Sequence, residues 1–205
     1  MLCSSTIIEN IEDMQNLGFA SLAMFYHDFR EDEKKNLRGL LSSILFQLCE
    51  QSDAYYNALT TLYSTHCHGG PRRPTDDELV RCLKNVLRLS GQAPVYLIID
   101  ALDELTDTSA LSSPREEILV LLEDLVSSQL PNLRICVTSR READIKPVLE
   151  PLSFRSVSLH DEMGQKEDIK NYIKLVVNTN KNMGRWRPEH RQLVISVLIE
   201  RTDVM

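Results

Sequence analysis

Apolar residues recur along the chain with two kinds of spacing, one typical of helices and one typical of buried strands. Positions spaced three and four residues apart predict amphipathic helices over residues 4–15, 36–50, 54–63, 75–90, 113–130, 166–177 and 188–200. A continuous apolar run predicts a strand over residues 95–99, and short, mostly apolar segments predict strands over residues 20–27, 133–137 and 157–159. Because these strands alternate with helices, the pattern predicts an α/β fold with a mostly parallel sheet.

The composition narrows the classes of partner. The 205 residues are 42% hydrophobic and 26% charged, with a net charge of -7. Nucleic-acid binding through a broad basic surface needs clustered Lys and Arg, whereas the longest basic runs here, such as Arg72-Arg73, are pairs. No apolar run approaches the roughly 20 residues that span a bilayer. We therefore expect neither nucleic acid nor a membrane as a partner.

The cysteines and histidines form no recognisable framework. There are five cysteines, an odd number, and they show no paired spacing. His66-Cys67-His68 has no second pair at zinc-finger spacing, so a loop is the better interpretation. The absence of a disulfide pattern favours a reducing compartment, and we expect a cytoplasmic protein.

Three acidic residues follow the strongest predicted strand. Asp100 ends the apolar run at 95–99, and Asp103 and Glu104 come within one tight turn. Ligands of open parallel sheets bind beyond the carboxyl ends of the strands, and three carboxylates there repel one another unless a cation or a solvated loop relieves them. The pattern predicts that Asp100 holds Mg²⁺, through water, while Asp103 or Glu104 orients or deprotonates an attacking water. The alternative is that Asp103 and Glu104 only belong to a polar loop or helix start.

Several segments resemble one known family in the order in which that family has them. LIIDALDEL resembles the extended Walker B motif of NACHT domains, which belong to the STAND branch of the P-loop NTPases, and LRICVTSR resembles their sensor 1 strand, which ends in an arginine, here Arg140. FYHDFREDEKKNLRGLLSSILFQL resembles the second strand and following helix of fungal NACHT and nephrocystin-3-like N-terminal domains. LCSSTIIENI resembles the helix after the phosphate loop. The resemblance implies a three-layer P-loop NTPase fold that uses Mg²⁺ with ATP or GTP, in which Arg140 either reaches a γ-phosphate or pairs with Asp100 or Asp103.

The chain departs from the family at three places. Ala101 stands where the family often has Gly, and Arg141 where it often has Pro. The phosphate loop G-x-x-x-x-G-K-[ST] and the strand before it are missing, and without that strand two interior strand edges would be unpaired. We therefore expect an incomplete NACHT core over residues 1–162 and the start of a helical segment over residues 163–205.

Two functions follow from the resemblance. The first is a fragment of a nucleotide-driven signalling switch that, without its phosphate loop, binds nucleotide weakly or not at all and is not catalytically competent. The second is a non-catalytic scaffold or decoy that forms homo- or hetero-oligomers with intact NACHT proteins. A metal-dependent α/β enzyme unrelated to NTPases is a third, weaker hypothesis.

Overall fold

The chain folds into two compact units, Met1–Ser153 and Phe154–Met205. The computed structural model describes residues 2–27, 36–67, 73–105, 113–158, 163–180 and 183–202. The sequence analysis places its domain boundary later, between residues 162 and 163. None of the helices in these ranges is both long and apolar enough to cross a membrane.

The first unit contains the sheet. Its helices are α1 (Leu2–Asn16), α2 (Leu37–Cys49), α3 (Asp53–Cys67), α4 (Asp76–Leu87), α5 (Pro114–Ser127) and α6 (Ile145–Leu152). Its strands are β1 (Ser21–Tyr26), β2 (Val95–Asp100) and β3 (Leu133–Val137), and a short 3₁₀ turn covers Leu102–Glu104. The second unit has α7 (Met163–Thr179), a 3₁₀ turn at Met183–Arg185 and α8 (Pro188–Thr202).

The sheet is parallel, as the sequence predicts. The three strands of the described residues lie in the order β1-β2-β3, and both pairings are parallel. Tyr26 lies opposite Asp100, and Ile99 lies opposite Val137. The carboxyl ends of all three strands therefore meet at one edge, and the α/β fold with a parallel sheet is confirmed.

Helices cover both faces of this sheet, which explains why its strands are mostly apolar. One face buries the alternate residues Ala23, Leu97 and Ile99 against a core that α2, α4 and α5 contribute to. On the other face, Ile8 and Ile11 of α1 pack with Leu22 and Ile98 in a smaller cluster. The first unit thus has three layers, with Asp100 carried to the rim by a strand that is buried on both sides.

Local signals place the helix starts. The Asn36 side chain accepts a hydrogen bond from the Gly39 N–H (2.8 Å) at the start of α2. Thr75 and Glu78 form the predicted capping box of α4. Pro114 lies in the first turn of α5, where its missing N–H costs no helical bond.

The region after β3 differs from the sequence prediction at two places. The sequence analysis assigns no element to residues 138–156, yet α6 forms there, although its eight residues include Pro147 and Pro151. Pro147 lies in the first turn, where proline is tolerated, and the buried Ile145 anchors the helix to the core. The strand expected at 157–159 is not formed at Val157 and Ser158, and Leu159 lies outside the described residues. Val157 is exposed, so burial of its side chain does not stabilise a strand there.

Side chains satisfy the outer edge of β1. The Gln51 amide accepts from the Leu22 N–H (2.9 Å) and donates to the Leu22 carbonyl (2.6 Å). The Gln47 amide does the same for Met24, at 3.0 and 2.8 Å. Gln47 lies near the end of α2 and Gln51 lies four residues later, just beyond the helix, and the two side chains replace the hydrogen bonds that a further strand would make. This edge is therefore closed to further pairing.

Candidate functional site at the carboxyl edge of the sheet

The carboxylate of Asp100 is held between two neighbouring strands. Asp100 ends β2 and is only 7% exposed, and the Thr138 hydroxyl, directly after β3, donates to its Oδ1. The Ala101 N–H donates to the same Thr138 hydroxyl oxygen (3.0 Å). The Thr138 N–H donates to the Ile99 carbonyl (2.9 Å) and its carbonyl accepts from the Leu102 N–H (3.1 Å). Thr138 therefore joins the two strand ends and orients Asp100, a role that the sequence analysis did not assign.

The chain turns sharply immediately after Asp100. Ala101 has φ 58° and ψ 46°, the left-handed conformation that favours glycine. The turn then continues as the 3₁₀ segment Leu102–Glu104, whose Leu102 is fully buried. In this conformation Ala carries a conformational cost that Gly would not.

Replacing Ala101 with Gly is expected to stabilise the first unit. Glycine adopts the left-handed conformation without the steric cost of a Cβ, and the larger entropy of its unfolded state offsets part of the gain. We expect the free energy of unfolding to rise by about 0.5–1 kcal/mol. Urea unfolding followed by circular dichroism measures this change. Ala101→Val is the control, and a β-branched residue in this conformation should destabilise the protein.

Arg140 pairs with Asp103 rather than with Asp100. The backbone N–H of Arg140 donates to Asp103 Oδ1 (3.0 Å), and the Nε of its guanidinium lies 3.3 Å from Asp103 Oδ2. The Asp103 side chain is 14% exposed, whereas that of Arg140 is 85% exposed. Both oxygens of Asp103 thus face Arg140, while much of the guanidinium remains accessible to solvent. Of the pairings that the sequence left open for Arg140, the structure shows the one with Asp103.

Arg115 at the start of α5 clamps the turn. One of its terminal nitrogens, Nη2, donates to the backbone carbonyls of Asp103 (2.9 Å) and Leu105, and Nη1 donates to Asp144 Oδ2 (2.8 Å). The hydrogen bond from Arg115 holds the pKa of Asp144 below its ordinary value. The guanidinium therefore ties the acidic turn to the start of α6. Sequence reasoning missed Arg115, because in the sequence it is only a charged residue at the start of a predicted helix, next to Glu116 and Glu117.

The strands, the acidic turn and Arg140 all fall within one family match. Residues 1–140 match the sequence model of the family described as Nephrocystin 3, N-terminal. The chain belongs to the nephrocystin 3 N-terminal family. The matched region extends from α1 to the arginine beyond β3. No curated protein and no solved structure matches the chain significantly.

The acidic crowding of this nephrocystin 3 N-terminal domain is relieved by its own side chains. The Thr138 hydroxyl donates a hydrogen bond to Asp100, Arg140 forms an ion pair with Asp103, and the Glu104 side chain is exposed to water. In the part of the chain that the structure describes, no three acidic, histidine or cysteine side chains are grouped so that they could hold a metal ion. The binding of a cation by the three carboxylates stays a prediction.

Burial and the Asp100 carboxylate act on the pKa of two neighbouring side chains, Tyr26 and Cys136. Burial, followed by the charges of Asp100 and Glu12, raises the pKa of Tyr26, which lies opposite Asp100. Burial and then Asp100 likewise raise the pKa of the Cys136 thiol. The backbone N–H of the buried His27 donates to the Asp100 carbonyl (3.1 Å), and the His27 ring packs against Phe25. Tyr26 and His27 were also missed as neighbours of the site, although they are the last two residues of the strand predicted at 20–27.

Proposed function

We propose that this domain is the acidic, metal-and-water half of a NACHT-type nucleotide-binding switch of the STAND class of P-loop NTPases, and that it binds Mg²⁺ with ATP or GTP only weakly. One observation carries the proposal. A buried aspartate ends a parallel strand, and a hydroxyl and an exposed arginine follow the neighbouring strand at the same edge. Nucleotides bind beyond the carboxyl ends of such strands.

The contacts suggest a role for each residue. Asp100 and the Thr138 hydroxyl offer oxygen atoms, which Mg²⁺ prefers, and Asp100 would hold the ion through water. The bound ion would neutralise charge on the phosphates. Because both oxygens of Asp103 face Arg140, we assign Asp103 to positioning the arginine, and the exposed Glu104 to orienting an attacking water. The guanidinium of Arg140 would contact the γ-phosphate.

The weak affinity follows from the phosphate contacts that these 205 residues do not encode. A P-loop grips phosphates with consecutive backbone N–H groups, a lysine and a hydroxyl, and no G-x-x-x-x-G-K-[ST] pattern is present. Each such hydrogen bond to a charged group contributes about 1.5–3 kcal/mol. Several of them are absent together, so we expect millimolar rather than micromolar binding and no efficient hydrolysis.

The assignment of Arg140 can be tested by comparing ATP with ADP. If the guanidinium contacts the γ-phosphate, Arg140→Ala should weaken ATP binding by about fivefold to tenfold and leave ADP binding unchanged, since one exposed charge-assisted contact is lost. Saturation-transfer NMR of the nucleotide in the presence of Mg²⁺ measures both affinities. Arg141→Ala is the matched control. Equal weakening of ATP and ADP by Arg140→Ala would contradict the assignment.

A scaffold or decoy that pairs with intact NACHT proteins is the second candidate. It is favoured by the hydrogen bonds that Asp100 receives from Thr138 and Asp103 receives from Arg140, because both carboxylates then have partners within the protein and need no ligand. The two candidates differ in one outcome, since a scaffold shows no Mg²⁺-dependent interaction with nucleotide. We place both in the cytoplasm, where the described cysteines Cys49, Cys82 and Cys136 would remain free thiols, as they are here.

A further inference from the structure

One stretch of the first unit carries no charge. The 18 residues 54–71 contain no Asp, Glu, Lys or Arg, although 26% of the whole chain is charged. The first unit has 23 acidic and 14 basic residues, and its helices expose carboxylates such as Glu9 of α1 and Glu123 of α5. A surface without charge therefore stands out here, and depletion of charged residues is typical of the centre of a protein interface.

This uncharged stretch forms most of α3, whose one acidic residue is Asp53 at its first position. The inner side of the helix packs against the main core through Tyr55, Ala58, Leu59 and Leu62. The outer side presents Tyr56 and Tyr63, which are 59% and 50% exposed, with the exposed Thr60 between them. Spacings of four and three residues place these three side chains in one stripe. The helix is thus anchored from within and shows tyrosine, a residue enriched at interfaces, to solvent.

The small hydroxyl groups of this outer face have acceptors within the helix itself. The Thr60 hydroxyl donates to the Tyr56 carbonyl (2.9 Å). The Thr61 hydroxyl donates to the Asn57 carbonyl (2.8 Å), and the Ser64 hydroxyl donates to the Thr61 carbonyl (3.0 Å). Burying a polar group is costly mainly when it loses its hydrogen bond. A partner that covers this face would therefore leave none of these three hydroxyls without an acceptor.

The stripe is complementary to itself about a two-fold axis. Tyr56 and Tyr63 are seven residues apart, about 10.5 Å along the helix, and Thr60 lies close to the midpoint between them. If two α3 helices run antiparallel with the axis beside Thr60, Tyr56 of each copy meets Tyr63 of the other. The small Thr60 side chains then lie where the helices approach, and the tyrosine rings can pack edge to face. A two-fold interface needs such a patch, since both partners use the same surface.

We infer that the outer face of α3, formed by Tyr56, Thr60 and Tyr63, binds a second copy of this chain in an antiparallel, two-fold pair. An oppositely charged partner would bind at a charged surface, whereas two copies with a net charge of -7 repel each other least where they meet through a face without charge. One helix from each copy buries much less than the roughly 1,600 Å² of a standard interface, so we expect a weak dimer, with a Kd of about 0.1 mM. The inference does not depend on nucleotide binding.

Sedimentation equilibrium of the full chain, at concentrations up to about 1 mM, measures the dimer. Raising the salt concentration from about 20 to about 300 mM should strengthen association about threefold or more, because salt screens the repulsion between two acidic copies. Tyr56→Glu should weaken association by about tenfold or more, since its carboxylate would lose water in the interface. Tyr172→Glu adds the same charge at an exposed tyrosine of α7, and this matched control should leave the dimer unchanged.

A double variant tests the antiparallel register. Tyr63→Lys alone should also weaken the dimer, whereas Tyr56→Glu combined with Tyr63→Lys should recover much of the affinity, because each new carboxylate then faces the new ammonium group of the other copy, twice in the two-fold pair. Both tyrosines are exposed, so the variants should fold, and circular dichroism checks this. No dimer at about 1 mM, a dimer that salt weakens or Tyr56→Glu leaves intact, or no recovery in the double variant would overturn the inference.

Discussion

Replacing Arg115 with Met is expected to lower the free energy of unfolding by about 3 kcal/mol. The side chain is 12% exposed and donates to the carbonyls of Asp103 and Leu105 and to the carboxylate of Asp144. Methionine keeps the apolar stem but leaves those partners without their donor, and removing one member of a largely buried charged network is strongly destabilising. Chemical denaturation of the variant measures the loss.

The control for this prediction is Arg81→Met on the exposed surface of α4, which should change stability by no more than about 0.5 kcal/mol.

The pKa of Asp144 gives a second readout. Because Arg115 lowers that pKa in the folded protein, the pair contributes stability above the ordinary pKa of aspartate, and this contribution is lost as the pH falls into the acid range. In Arg115→Met the pKa of Asp144 should return towards its ordinary value. A variant as stable as the wild type would show that the clamp does not hold the turn.

Replacing Thr138 with Val is expected to cost about 2 kcal/mol. Valine has nearly the same shape, but it removes the hydroxyl that donates to the buried Asp100 carboxylate and accepts from the Ala101 N–H. The loss of a donor to a charged, buried group is the larger contribution, and the unsatisfied backbone N–H adds to it. Unfolding curves of the two proteins measure the difference.

Thr138→Ser retains the hydroxyl and should remain within about 1 kcal/mol of the wild type, because only a methyl group is removed. A double variant that combines Thr138→Val with Asp100→Asn measures the energetic coupling between the two side chains. If the hydroxyl acts mainly through the carboxylate, the double variant should be more stable than the sum of the two single losses implies. Strictly additive losses would mean that Thr138 and Asp100 are not coupled.

Much of the fold is encoded in local periodicity, which is why the sequence predicts it well. The apolar residues of α2 face a single direction, β2 is a continuous apolar run up to Asp100, and β3 is apolar except for Arg134. The sequence also predicts that Asp100 lies close to the residues after β3, because neighbouring parallel strands end at the same edge of a sheet. The position of the acidic edge could therefore be predicted without coordinates.

The parts that the sequence did not predict depend on contacts between distant segments. Arg115 reaches backwards to the carbonyls of the acidic turn and forwards to Asp144, and no spacing rule reveals such a clamp. The glutamines that close β1, one in α2 and one just beyond it, are ordinary polar positions in the sequence until the strand is placed beside them. α6 forms despite two prolines because Ile145 is buried in the core, an effect of tertiary packing that overrides local preference.

A titration of Mg²⁺ and ATP into the purified chain tests the central claim most directly, with Asp100→Asn as the matched variant. The account predicts weak binding, in the millimolar range, that requires Mg²⁺ and is lost in Asp100→Asn while the variant remains folded. Micromolar binding, or weak binding that is the same with and without Mg²⁺ and with and without the Asp100 carboxylate, would contradict it.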